Sequence, residues 1–231
     1  MPNRRLSIPH PHIPHPHIPE RIYSRAEIVA DGAIHAIGIA GTLAGTGALI
    51  LFTALRGGAE EIVVASIYLF CLLAMFTCSA ANNLWLSSKR RELLQGLDHA
   101  AIFVLIAGSY TPFFVLLLHG AWAVSMTTLV WAVAAIGIAL RLMLPRTFKR
   151  HRIWLYLSMG WIGVLAAGPL MGAIDWPTLA LLAAGGMLYT TGVIFHVWTT
   201  LPFQNVIWHS FVLAGASFHY AAVFTGVANA G

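Results

Sequence analysis

The chain has 231 residues, of which 58% are hydrophobic and only 9% are charged, and its formal net charge is +5. Soluble domains carry about 25% charged residues, so this composition excludes an ordinary soluble globule and, outside the chain ends, a disordered protein. The basic residues do not form a stripe with interleaved aromatic residues, which argues against nucleic acid as a partner.

Seven apolar runs follow one another along the chain, and each is close to the roughly 20 residues that a helix needs to cross a bilayer. They are predicted at residues 34–55, 62–86, 98–118, 121–144, 153–171, 176–198 and 205–227. The sequence therefore predicts an all-α membrane protein, with residues 23–231 forming a single domain built as a seven-transmembrane helix bundle. Cys71 and Cys78 lie within the second run, seven residues apart, and predict no disulfide framework.

Residues 1–22 precede the first run and are rich in proline and histidine. They contain a duplicated five-residue unit, IPHPH, and lack the apolar segment of a cleavable signal peptide. Alternating prolines favour an extended polyproline II backbone, so we expect a disordered leader. A second interpretation is that its histidines collect a transition metal loosely; these are His10, His12, His15 and His17.

The basic residues predict the orientation of the bundle. Twelve of the 13 Lys and Arg residues lie before the first run, between the second and third runs, or around the loop between the fourth and fifth runs, and Arg56 alone lies on the other side. Positive residues concentrate in cytoplasmic loops, so we expect a cytoplasmic N-terminus and, with seven spans, a C-terminus outside.

Polar side chains inside the runs lie mainly at their predicted cytoplasmic ends, and most are spaced four residues apart, on one helix face. They are Glu27, Asp31 and His35 where the first span begins, Ser79 and Asn83 in the second run, Asp98 and His99 in the third, and Asn205 and His209 in the seventh. Ionisable groups at membrane depth are costly and favour a functional site. Taken singly, Asp98 can be a helix cap, and polar residues near the headgroups can be structural. The shared depth of four helices favours a joint site.

The chain resembles the hemolysin III family of the progestin and adipoQ receptor superfamily, which is related to alkaline ceramidases. The resemblance runs from about Tyr23 to Val223 and rests on segments 23–27, 35–38, 97–99, 108–113, 188–192 and 207–215. It implies a seven-helix protein with its N-terminus inside, in a bacterial inner (plasma) membrane.

The resemblance also implies a zinc site made of three histidines, with a serine and an aspartate beside them. The serine corresponds to Ser79, the aspartate to Asp98 and one histidine to His209. The positions of the other two histidines are Asn83 and Asn205. Because an asparagine offers zinc only a neutral amide oxygen, this ligand set predicts weak zinc binding and puts the ceramidase-like hydrolysis of the superfamily in doubt.

Three functions follow as alternatives. The first is a membrane protein in which the family's metal site is lost or altered and the polar residues form a hydrogen-bonded cluster that binds a lipid headgroup or holds the bundle together. The second is a metal-dependent hydrolase of a lipid amide or ester, with zinc held in a relocated site by His209, His35 and a carboxylate from Asp98, Asp31 or Glu27, and with Ser79 assisting the oxyanion. The third is a channel or transporter, which the scarcity of polar residues in the outer halves of the runs opposes. Membrane lipids are the expected partners.

Overall fold

The computed structural model describes residues 23–85 and 90–230. The leader predicted at residues 1–22 therefore lies outside the described residues. The described part of the chain contains helices and no strand, and it is built from eight α-helices and one short 3₁₀ helix. The α-helices are α1 (Arg25–Arg56), α2 (Ala59–Leu84), α3 (Arg91–Leu116), α4 (Gly120–Met143), α5 (Pro145–Gly160), α6 (Ala167–Ala173), α7 (Trp176–Val197) and α8 (Gln204–Ala230), with the 3₁₀ helix at Ile162–Ala166.

Seven segments are long and apolar enough to cross a membrane, which confirms the predicted fold class. Six are single helices, and the fifth, Pro145–Ala173, combines α5, the 3₁₀ helix and α6. Helix α1 begins at Arg25, nine residues before the predicted run, because Ser24 and Glu27 form a capping box there. The Ser24 hydroxyl accepts from the Glu27 N–H at 3.2 Å, and the Glu27 carboxylate accepts from the Ser24 N–H at 2.9 Å.

The helices pack in chain order around α3 and α8. Helix α8 contacts α1, α2, α3 and α7, so the end of the chain lies against its beginning. Aromatic side chains fill the interior, and the largest of those fully buried are Tyr68, Phe103, Phe114 and Phe148. This arrangement puts the starts of α1, α3 and α8 and the end of α2 at the same end of the bundle. The same end also holds the α4–α5 connection, and we call it the basic end.

The fifth span is broken rather than continuous, in contrast to the single helix predicted at 153–171. Helix α5 ends at Gly160, and the chain then turns through the 3₁₀ helix. The Tyr110 hydroxyl of α3 donates to the Gly160 carbonyl and accepts from the Gly163 N–H at 3.1 Å. A Cβ atom at Gly163 would lie 2.9 Å from the Tyr110 ring, so the glycine permits this approach. Two backbone groups at the break, the Gly160 carbonyl and the Gly163 N–H, are thus satisfied by a side chain, as the membrane interior requires.

Candidate metal centre

Asp31 and His35 lie one turn apart on α1, and both side chains are buried. The His35 Nδ1 atom lies 2.8 Å from the Asp31 carbonyl oxygen. A carbonyl oxygen only accepts, so Nδ1 carries the proton and Nε2 keeps its lone pair. The Nε2 atom lies 3.2 Å from the hydroxyl of Ser79 on α2. The local fold of α1 therefore fixes which nitrogen of His35 is available as a ligand.

His209 reaches the same point from α8. Its Nδ1 atom lies 2.6 Å from Asp31 Oδ1, and its ring packs edge-on against the His35 ring with the two centroids 4.5 Å apart. The carboxylate accepts, so Nδ1 donates and the Nε2 of His209 is left free. One potential ligand atom from each of Asp31, His35 and His209 lies within 4.8 Å of the others, and all three residues are buried. We call these three residues the Asp–His–His group.

Asn83 and Asn205, at the two positions where the resemblance implies histidines, lie beside this group and contact each other. The Asn205 Nδ2 atom donates to Asn83 Oδ1 at 3.4 Å, and Asn83 Nδ2 donates to the Ser79 carbonyl at 2.9 Å and to the Ser79 hydroxyl at 3.3 Å. The amide oxygen of Asn83 is thus already an acceptor within the protein. The two amides add polar side chains beside the Asp–His–His group. The imidazole nitrogens and the carboxylate oxygens remain the stronger ligands for a transition-metal ion.

Asp98 of α3 approaches the group from the other side. Its Oδ2 atom accepts from Asn82 Nδ2 at 2.8 Å, and its carboxylate lies near the Ser79 side chain and interacts electrostatically with His209. Asn82 is the one member of this set that the sequence reasoning missed. The sequence feature that could have identified Asn82 is an amide side chain within an apolar span, next to Asn83.

Glu27 is not a member of the Asp–His–His group. Besides capping α1, its Oε1 accepts from the backbone N–H of Phe203 at 2.9 Å. Phe203 has a left-handed backbone, with φ at 57°, in the connection between α7 and α8. Glu27 therefore ties the start of α1 to the connection from which α8 begins. A small cleft at this end, with room for about one water molecule, is lined in part by Glu27, Asp31, Asn83 and Asn205.

The structure does not bring His99 to this cluster, in contrast to the prediction from sequence. Its Nδ1 atom accepts from Arg141 Nε at 3.2 Å, and its ring packs against Phe148 of α5 with centroids 5.4 Å apart. Consecutive residues of a helix point about 100° apart, so Asp98 and His99 cannot both face the site. His219 lies deeper in α8, where its Nε2 atom is 3.3 Å from the Leu182 carbonyl oxygen, and it is a packed residue outside the site.

Fold and site together define a seven-helix membrane protein with a buried histidine–carboxylate group near one end of the bundle. Residues 25–220 match the family described as haemolysin-III related, and the chain belongs to that family. This confirms the resemblance stated from the motifs, including the wider relationship to the progestin and adipoQ receptor superfamily.

Three curated relatives show the extent of the similarity. The chain is 34% identical to a Bacillus subtilis (strain 168) protein named hemolysin-3 homolog, over 85% of this chain and 92% of that protein. It is 32% identical to hemolysin-3 of Bacillus cereus, over 85% of this chain and 90% of the relative. It is also 32% identical to the human monocyte to macrophage differentiation factor, over 71% of this chain and 70% of that protein.

Proposed function

We propose that this protein of the bacterial plasma membrane binds zinc through Asp31, His35 and His209 and uses it to hydrolyse an amide or ester bond of a lipid. The convergence of three potential ligand atoms within 4.8 Å of one another carries the proposal. The metal site of the family is then altered in position rather than lost.

The chemistry of the donors tests whether the residues fit zinc. At the positions implied by the resemblance, Asn83 and Asn205 supply only amide oxygens, which suit harder cations, so that set does not fit. The Asp–His–His group offers two imidazole nitrogens and one carboxylate oxygen, a ligand set found in catalytic zinc sites. His35 is also oriented by the Asp31 carbonyl, as ligating histidines usually are by a second hydrogen bond.

Zinc bound there would supply a Lewis acid that acidifies water and polarises a carbonyl group. The protein's own residues provide for the movement of protons. The Ser79 hydroxyl has one hydrogen and lies next to both His35 Nε2 and the Asp98 carboxylate, so it can donate to either of them. Asn82 holds the Asp98 carboxylate in place at 2.8 Å. Asp98 is therefore positioned as a proton acceptor, and Ser79 as the donor to a developing oxyanion.

A closed polar cluster without a metal is the second candidate function, and a specific observation favours it. The site residues already bond to one another within the protein, with His209 Nδ1 at 2.6 Å from Asp31 Oδ1 and His35 Nε2 at 3.2 Å from the Ser79 hydroxyl. Such a network joins α1, α2 and α8 and would stabilise the bundle by itself.

Metal analysis of the full-length protein separates these candidates. We expect the wild type, purified without chelators or a polyhistidine tag, to contain close to one zinc per chain by elemental mass spectrometry. His209→Ala and Asp31→Asn should each lose most of this zinc because each removes a ligand. His119→Ala changes an exposed histidine beyond the site and is the matched control.

Zinc held by the histidines of the N-terminal leader must be distinguished from zinc in the bundle. A variant with His10, His12, His15 and His17 all changed to serine should keep its zinc. A wild type with little zinc, together with a zinc-loaded Asn83→His, Asn205→His double variant, would overturn the proposal in favour of the closed cluster. If the protein binds one zinc per chain but hydrolyses none of the lipid amides or esters tested, the proposed enzymatic activity is wrong and the proposed zinc site stands.

A further inference from the structure

A second polar group lies at the basic end, between α3, α4, α5 and α7. It consists of Arg141, Arg152, His99, His196 and Tyr156, and we call it the arginine cluster. Arg141 donates from Nε to His99 Nδ1 at 3.2 Å, and Arg152 donates from Nη2 to His196 Nε2 at 3.4 Å. Both guanidinium groups act electrostatically on His99 and on Tyr156. Four helices thus direct these side chains to one region of the bundle.

Each of the two arginines donates to a histidine rather than to a carboxylate. A guanidinium group only donates, so each of the two histidines accepts through the nitrogen that it turns to its arginine. In the described part of the chain, neither arginine forms an ion pair with a carboxylate. Among residues 23–85 and 90–230, the two guanidinium groups therefore lack a carboxylate in ion-pair contact, although the Asp98 carboxylate acts electrostatically on Tyr156.

Burial makes the lack of a directly paired carboxylate costly. Arg141 lies in the interior and is 8% exposed. The central carbon of its guanidinium group lies 6.0 Å from the centre of the Phe148 ring. Arg152 is half-buried. A charge removed from water is stabilised when it is paired, and each guanidinium has five N–H donors of which the protein engages few.

The surrounding surface indicates the charge and the depth of the missing partner. Helix α5 begins with Arg146, Lys149 and Arg150, all exposed, and contains no acidic residue. Trp154 follows on the same helix and is 73% exposed, as an aromatic residue at a membrane interface would be. The region is therefore a positive surface at the depth of lipid headgroups, and planar guanidinium groups match the oxygens of a phosphate group.

We propose that the arginine cluster binds a phosphate group through Arg141 and Arg152 and that an anionic phospholipid supplies it. His99 and His196 are positioning residues, because each holds one arginine by a hydrogen bond. The proposal does not depend on zinc or on hydrolysis, since none of these residues belongs to the Asp–His–His group.

Thermal unfolding of the full-length protein in detergent micelles tests this site. We expect the unfolding midpoint to rise as phosphatidylglycerol is added and to change much less with phosphatidylcholine. Loss of one guanidinium removes charge-assisted hydrogen bonds to the phosphate group, so Arg141→Gln and Arg152→Gln should each weaken the apparent affinity for phosphatidylglycerol by about tenfold or more. Arg56→Gln, which changes the exposed arginine at the opposite end, should leave the affinity unchanged.

Inorganic phosphate distinguishes the two sources of the same group. A rise with phosphatidylglycerol alone supports the lipid, and a rise with inorganic phosphate that is lost in both arginine variants shows that the cluster binds the free anion. If Arg141→Gln does not fold, Arg152→Gln and the charge-preserving Arg141→Lys variant replace it in the test. Arg141→Lys should bind phosphatidylglycerol less tightly than the wild type, because lysine lacks the planar guanidinium group that donates two parallel hydrogen bonds. No rise with either ligand, or the same rise in Arg152→Gln as in the wild type, would overturn the proposal.

Discussion

At the scale of single residues, neighbouring positions in these helices have different roles because each step turns the side chain by about 100°. Asp98 faces Ser79 and Asn82, whereas His99, the next residue, faces Arg141 and α5. The glycine pair in α7 shows the same contrast in packing. A Cβ atom at Gly185 would lie 2.1 Å from the ring of His219, and nothing lies within 4 Å of one at Gly186.

Gly185→Ala should therefore destabilise the protein, because the new methyl group forces His219 and α8 away from α7. We expect a cost of about 1–3 kcal/mol in the free energy of unfolding, as for overpacked cores. Gly186→Ala, one residue further on, should be neutral or stabilising by up to about 1 kcal/mol. Denaturant unfolding in micelles measures both, and equal effects of the two substitutions would contradict the packing described for α7 and α8.

At the scale of secondary structure elements, the spans differ in how far hydropathy describes them. Six are continuous helices. The fifth contains a 3₁₀ segment between α5 and α6, where the Tyr110 hydroxyl bridges the Gly160 carbonyl and the Gly163 N–H. Because irregular backbone in a membrane is tolerated only where its polar groups find partners inside the protein, this tyrosine stabilises the break.

Tyr110→Phe should cost about 1–3 kcal/mol in unfolding free energy, since it leaves a backbone donor and an acceptor without their partner. Tyr68→Phe is the matched control, because the buried hydroxyl of Tyr68 has no hydrogen-bond partner among the described residues. Its removal should be neutral or stabilising. Chemical unfolding measures the free energy of unfolding of both variants against the wild type. A Tyr110→Phe protein as stable as the wild type would show that the break does not need this hydroxyl.

At the scale of the whole molecule, seven spans predict that the two termini lie on opposite sides of the membrane. The charges predict which side is which. The described basic residues concentrate at the basic end, where the metal centre and the arginine cluster also lie, and Arg56 is at the other end. Both proposed sites would then face the cytoplasmic leaflet.

A reporter that is active only outside the cytoplasm, fused after Gly231, should be active, and a reporter active only in the cytoplasm should be silent at the same position. The physical reason is the preference of positively charged loops for the cytoplasmic side. The same pair of reporters placed before Met1 should give the reverse result and serves as the control. Cytoplasmic activity after Gly231 would mean that the orientation is inverted or that one of the seven segments does not cross.

The sequence by itself determined the seven apolar spans and the family, because hydropathy over about 20 residues and short motifs are local properties of the chain. It also identified Asp31, His35, Ser79, Asn83, Asp98, Asn205 and His209 as polar residues at one depth. Only the tertiary structure chose Asp31, rather than Asp98 or Glu27, as the carboxylate beside the two histidines. Asp31 and His209 are 178 residues apart, and the packing of α8 on α1 brings them to 2.6 Å. The break in the fifth span and the pairing of His99 with Arg141 were likewise decided by contacts between helices, which local periodicity does not encode.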